Sequence, residues 1–259
     1  MVELGAGVAG LAVGDRVMAM DGNAYAEYAA VDQRLVARVP NGLDWPEAAA
    51  VMVSFMTAHD ALVTHGGLSA GDTALVQGCT TGVGIAAAQL ATWLRAANVV
   101  GTSTTAAKLA AMAAYGVDVP VLAESGAVVD AVMQASNGVG AQVILDSVGG
   151  PVAADNVAAA AIGGRWVSVG RVAGKTAHIE LNEFARKRLT LVGVTFRTRS
   201  LAERADVVAR FVRGVLPAIA AGALRPKVDR VFDLAEAAAA QEHVRSGRHF
   251  GKVVLRVSD

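Results

Sequence analysis

The chain has 259 residues, with hydrophobic residues at 54% and charged residues at 18%. That balance excludes a disordered chain and leaves enough apolar material for one large or two modest domains. Formal net charge is zero, so no basic field points to nucleic acid or to an anionic membrane as a partner.

The first stretch, MVELGAGVAGLAVGD, has no basic lead before its apolar part and reads as no signal peptide. Three strands are expected next, at Asp15–Met20, Ala24–Val31 and Leu35–Pro40, separated by turns at Asp21-Gly22-Asn23 and Asn41-Gly42. Asp44 and Glu47 have the spacing of a capping box, and the apolar run after them predicts two helices around Ser54. From Asp72 the pattern alternates. Strands are expected at Thr73–Gln77, Asn98–Ser103, Val119–Ala123, Gln142–Ser147, Arg165–Gly170 and Leu189–Phe196. Helices are expected over Gly82–Ala96, Thr105–Tyr115, Ala127–Ser136 and Pro151–Ala161. Apolar strands joined by crossover helices form a parallel sheet covered on both faces, here a doubly wound, six-stranded α/β (Rossmann) sheet. The tail predicts a long helix over Leu201–Ala221, a strand Val228–Phe232, a helix Leu234–Arg245 and a strand Gly251–Val257. The resulting division is a β-rich piece at 1–53, a nucleotide-binding domain at 54–198, and a return to the β-rich piece at 199–259.

Two glycine motifs compete. Gly5, Gly7 and Gly10 spell G-x-G-x-x-G, but no strand precedes them and Gly14-Asp15 ends the run before a helix can start. A diphosphate needs the amides and dipole of a helix N-terminus, so this motif reads as a turn. The run QGCTTGVGIAAAQL has the needed context, a strand before it and a helix after it. Two registers fit: Gly78, Thr81 and Gly84, or Gly82, Gly84 and Ala87. The first is preferred because its leading glycine directly follows the strand. Thr81 then holds the close-approach position, where a β-branched side chain pushes the loop away from phosphates unless its hydroxyl compensates.

The single cysteine, Cys79, rules out a disulfide framework within the chain and suits a reducing, cytoplasmic compartment. Its place at a helix N-terminus would lower its pKa, yet no partner base is visible. The histidines at 59, 65, 178, 243 and 249 show no metal-ligand spacing, so no metal site is expected. No apolar run approaches the ~18 uninterrupted residues of a membrane span, so no membrane partner is expected.

The stretches VGDRVMAM, YAEYAAV, TAHDAL, QGCTTGVGIAAAQLA, VILDSVGG, GGRWVSVG, KRLTLVGVTFRTRS and VDRVFDLAEAAAAQEHVRSGRHFGKVVL run from Val13 to Leu255. Together they resemble the zinc-independent medium-chain dehydrogenases/reductases, in the NADPH:quinone oxidoreductase or zeta-crystallin-like branch. The resemblance implies a GroES-like catalytic domain, here incomplete because family members carry further strands before VGDRV, followed by the nucleotide domain. It implies hydride transfer to a quinone or an α,β-unsaturated carbonyl. The alternatives are an enoyl reductase of polyketide type and a truncated, non-catalytic NADPH-binding protein.

The resemblance places Thr57 near the nicotinamide and Gly82, Val83 and Gly84 at the diphosphate. It places Asp146, Ser147 and Val148 at the end of the fourth strand, Val169, Gly170 and Arg171 at the end of the fifth, and Phe196 and Arg197 at the end of the sixth. Asp146 reads equally well as a helix N-cap, and Phe196 as core packing. The end of the second strand, GTSTTAAK, holds no acid to bind a ribose 2′-hydroxyl. Ser103 and Thr104 can donate to a 2′-phosphate and Lys108 can pair with it, which favours NADPH over NADH. The apolar strand LTLVGVTF at the sheet's end predicts a homodimer formed by edge pairing.

Overall fold

The structure is a computed structural model; it describes residues 1–22, 24–124 and 126–257. The expected Asp21–Asn23 turn includes Asn23, which lies outside the described residues. The chain folds as two compact units, Thr57–Thr195 on one side and Met1–Met56 with Phe196–Asp259 on the other.

The Thr57–Thr195 unit is built on a six-stranded sheet. Its strands are β3 (Thr73–Gln77), β4 (Asn98–Ser103), β5 (Val119–Leu122), β6 (Ala141–Asp146), β7 (Ala160–Ser168) and β8 (Thr190–Gly193). All neighbours are parallel, in the order β5-β4-β3-β6-β7-β8. The chain starts at β3, winds outward to β5, and then restarts on the other side of β3 with β6. The switch point therefore lies at the carboxyl ends of β3 and β6, where sheets of this type hold ligands. Every residue of β3 is buried, as a strand covered on both faces requires. The crossovers carry α2 (Gly82–Trp93), α3 (Ala106–Leu109), α4 (Ala127–Ala135) and α5 (Ala153–Ala159). Val128 and Val132 of α4 and Ala153 and Val157 of α5 pack on Ile144 and Trp166 of the sheet to form its main core.

The other unit holds two small sheets. β1 (Val17–Ala19) pairs antiparallel with β2 (Val36–Arg38), and β9 (Val228–Asp233) pairs parallel with β10 (Lys252–Arg256). α7 (Leu201–Gly214) packs beside β2, α8 (Leu216–Ala220) follows it, and α9 (Ala237–Arg245) connects β9 to β10.

Several expectations are corrected. Ala24–Val31 forms no strand, and its residues are almost all exposed, because no neighbouring strand offers a ladder. The two helices around Ser54 are one: α1 (Trp45–His59) runs through the buried Ser54 and continues as a π-helical stretch, Asp60–His65. The helix expected over Leu201–Ala221 breaks at Val215, just ahead of Pro217. A short helix that the sequence pattern does not predict, α6 (Leu181–Arg186), follows β7; Glu180 caps it by accepting from the amides of Asn182 and Glu183. β8 stops at Gly193, so Phe196 and Arg197 lie in a turn beyond it rather than at a strand end. Among the described residues no helix is long and apolar enough to cross a membrane.

Candidate functional site

The turn from β3 into α2 begins at Gly78, whose φ of +76° an L side chain adopts only under strain. Thr81 is the N-cap of α2. Its hydroxyl donates to the Gly78 carbonyl at 3.0 Å, and the same oxygen accepts from the Gly84 amide at 3.0 Å. A Cβ on Gly84 would fall 2.3 Å from the Gly78 carbonyl oxygen, so only glycine lets the helix lie this close to the turn. Gly78, Thr81 and Gly84 thus fill the three positions of the preferred register. The hydroxyl of Thr81 braces the turn from within. By contrast, Gly5, Gly7 and Gly10 sit in turn and loop without an adjoining strand or helix.

The amides of this turn are largely committed. Gly78 N donates to Thr102 Oγ1 at 3.1 Å, Cys79 N to the Thr102 carbonyl at 2.8 Å, and Thr81 N to the Gly78 carbonyl at 3.2 Å. The Gly84 amide is held by Thr81, which removes it from the set expected to face a diphosphate. Gly82 and Val83, both half-buried, carry the first two amides of α2, ahead of its first intrahelical bond from Ile85 N to the Thr81 carbonyl. They sit at the positive end of the helix dipole.

Across the switch point lies the end of β6. Asp146 does not face a crevice, and its role is larger than an N-cap. Its carboxylate is fully buried; Oδ1 accepts from the amides of Val148 (2.7 Å) and Gly149 (2.9 Å), and Oδ2 from Trp166 Nε1 (3.0 Å) and Asn156 Nδ2 (3.2 Å). Burial pushes its pKa up, outweighing the four donors that favour the charged form. The next residue, Ser147, is 7% exposed, and its Oγ has no hydrogen-bond partner among the described residues. A Cβ on Gly78 would lie 3.7 Å from Ser147 Cβ and 3.4 Å from Val148 Cγ2, so the β3 and β6 strand ends adjoin. From the β7 side, Gly170 packs so tightly on Ser147 that a Cβ there would meet the Ser147 carbonyl at 2.6 Å. The amides of Val169 and Gly170 both donate to the Asp146 carbonyl, and Arg171 is exposed beyond them.

At the end of β4, Ser103 Oγ lies 3.2 Å from Thr80 Oγ1 and accepts from Thr105 N at 3.3 Å. Lys108 is half-exposed on α3. Thr57 is buried in α1. Thr81, Ser147, Val148, Val169 and Gly170 are therefore brought together, whereas Phe196 and Arg197 belong to the other compact unit. Sequence reasoning missed Gln77, Thr102, Asn156 and Trp166, whose polar atoms are buried behind the turn; for Gln77 and Thr102 a polar residue inside an otherwise apolar strand was the available signal.

Cys79 is fully buried, and burial pushes its thiol up to about 12, against the lowering expected at a helix N-terminus. Among the described residues no three histidine, cysteine or acidic side chains are grouped so as to hold a metal ion. His65 lies 3.5 Å from Asp60, and His243 2.7 Å from Asp229.

A six-stranded parallel α/β sheet whose glycine turn lies at the switch point defines a Rossmann-type protein. A family model described as zinc-binding dehydrogenase matches residues 115–255, more than half of the chain, and the chain belongs to that family. The spectinabilin polyketide synthase system protein NorB of Streptomyces orinoci is 35% identical over 98% of this chain, which spans 11% of that relative's length. Quinone oxidoreductase-like protein 2 of Bos taurus is 28% identical over 98% of this chain and 73% of its own. A mycobacterial protein solved in complex with NADPH superposes with a TM-score of 0.89 at 25% identity, covering 99% of this chain and 80% of that one. The fold is that of the medium-chain dehydrogenases/reductases.

Proposed function

We propose that the protein binds NADPH at the β3–β6 switch point and reduces an electron-poor substrate, a quinone or an α,β-unsaturated carbonyl, without zinc. The observation that carries this reading is the pairing of two α2 amides, at Gly82 and Val83, that precede the helix's first intrahelical bond with a buried Ser147 hydroxyl that has no partner among the described residues. The amides of Gly82 and Val83 would take the diphosphate, aided by the helix dipole. Ser147 would donate to the ligand at the adjoining strand end, with Val148, Val169 and Gly170 packed around it. The hydroxyl of Ser103 and the ammonium of Lys108 would receive the 2′-phosphate, in a place that holds no acid to prefer NADH. Thr57 and Arg171, in the same compact unit, complete the proposed set. NADPH, when bound, supplies the hydride; the chain supplies position, charge and exclusion of water.

The mycobacterial NADPH complex supports the choice of cofactor, and the bovine relative supports a quinone acceptor. The NorB relative favours a second substrate, an enoyl thioester, which is also an electron-poor alkene. Fluorescence titration with NADPH, followed by absorbance assays with quinones, enones and enoyl thioesters, tests the reading. Failure to bind NADPH ends it. Tight binding with no turnover on any acceptor selects a non-catalytic NADPH-binding role instead.

A further inference from the structure

Behind the glycine turn runs an unbroken line of hydrogen bonds. Gly78 N donates to Thr102 Oγ1 (3.1 Å), and Thr102 Oγ1 donates to Gln77 Oε1 (2.7 Å). Gln77 Nε2 donates to Asn156 Oδ1 (2.9 Å), and Asn156 Nδ2 donates to Asp146 Oδ2 (3.2 Å). The other carboxylate oxygen accepts from Val148 and Gly149 N. Gln77, Asn156 and Asp146 are each 0% exposed, and Thr102 is 1% exposed. The line joins the turn after β3 to the loop after β6.

Its direction is dictated from one end. The amides of Val148 and Gly149 and the indole N–H of Trp166 can only donate, so the carboxyl oxygens they surround accept, and Asn156 turns its NH2 toward Asp146 and its oxygen toward Gln77. Gln77 must then offer its NH2 to Asn156 and its oxygen to Thr102. The Thr102 hydroxyl spends its one proton on Gln77, which leaves its lone pair for the Gly78 amide. Reversing any member would set oxygen against oxygen in a fully buried site.

We infer that Asp146, Asn156, Gln77 and Thr102 are positioning residues: a buried relay that locks the Gly78 turn and the Val148–Gly149 loop into one arrangement. It turns the Gly78 amide inward and leaves Gly82 and Val83 as the diphosphate donors. The donor assignment rests on the NADPH reading; the coupling of the two loops does not. Flanking glycines reinforce the second loop, where Gly150 N donates to the Gly174 carbonyl at 3.0 Å.

Asp146→Asn sets an NH2 among four donors and is expected to cost the fold itself, so the test is made at the far end. Thr102→Val keeps the shape and removes the hydroxyl, and Thr102→Ser restores it. Hydrogen exchange of the unliganded protein reads the coupling. The amides of Gly78, Val148 and Gly149 should all exchange about tenfold faster in Thr102→Val, the effect of one hydrogen bond, and return in Thr102→Ser. Faster exchange at Gly78 with Val148 and Gly149 unchanged overturns the relay. In the second arm, NADPH should bind Thr102→Val about tenfold more weakly than wild type, with recovery in Thr102→Ser. Equal affinity removes the relay's role in setting the donors. If wild type binds no NADPH, the functional reading fails, and the exchange result alone decides whether the loops are coupled.

Discussion

Thr81 stands where a dinucleotide turn commonly has glycine, and its hydroxyl explains how the turn tolerates it. One oxygen closes the turn onto Gly78 and caps α2 through Gly84. Thr81→Ala should therefore lower unfolding free energy by about 1 kcal/mol, the usual cost of losing an N-cap, as measured by urea denaturation. Thr81→Ser should recover most of it; an alanine variant as stable as wild type would show that the hydroxyl braces nothing. Two residues earlier, Cys79 shows burial outweighing the helix dipole. A Cβ on Gly101 would lie 3.0 Å from its sulfur, which places the thiol inside the sheet packing. With its pKa pushed up to about 12, it stays protonated at neutral and mildly alkaline pH. A disulfide reagent such as DTNB at about pH 8 should leave the native protein unlabelled and titrate one thiol once it is unfolded, because the thiolate is the nucleophile. Rapid labelling of the native protein would place Cys79 at the surface. Spacing left two registers open for the turn, and the strand ahead of Gly78 favoured the one through Gly78, Thr81 and Gly84, whereas nothing local in the sequence disclosed how deeply Cys79 lies.

Among the elements, β9, α9 and β10 are stapled by one carboxylate. Asp229 Oδ2 lies 2.7 Å from His243 Nε2 on α9, and Oδ1 accepts from the amide of Phe250 at 2.9 Å, just ahead of β10. Burial pushes this carboxyl up, but His243, the Phe250 amide and the charges of His243 and His249 together hold it below its ordinary 3.8. A depressed carboxyl contributes stability above its unfolded pKa and loses it as pH falls through the folded value. Asp229→Asn should thus lower Tm at neutral pH, and the gap from wild type should close as pH drops below 3.8. Thermal melts across that range check it, and a gap independent of pH would remove the charge from the explanation. The elements readable from sequence were those with strong internal pattern: the fully buried β3 and the amphipathic α4 needed only their own residues. Ala24–Val31 alternates like a strand, yet a strand exists only where a neighbour supplies its ladder. The six residues of α6 are too few to show a helical period, and Glu180 alone marked its start. The buried relay was hidden for a related reason. Gln77 and Asn156 meet across 79 residues of chain, a proximity only the closed sheet creates.

At the scale of the molecule, the sheet ends in two edge strands, β5 and β8, and they are not equivalent. On one side β5 carries Pro120, which has no amide to donate, and Asp118 and Glu124 flank the strand. Proline and charge are what blunt an edge against pairing. On the other side β8, Thr190–Gly193, has no proline, and Leu191 at its centre is 47% exposed. An open ladder beside an exposed leucine is stabilised by a second copy of itself, since a two-fold axis lets β8 pair antiparallel with its own image and buries both leucines. The homodimer expected from the sequence should therefore form through β8 and not through β5. Sedimentation should give a dimer that dissociates on dilution, and Leu191→Lys should shift it to monomer by setting two like charges together in the pairing. A substitution at Val121 on β5, serving as control for general loss of fold, should lower stability and leave the assembly intact. A wild-type monomer at every concentration, or a dimer indifferent to Leu191→Lys, would move the interface off this edge.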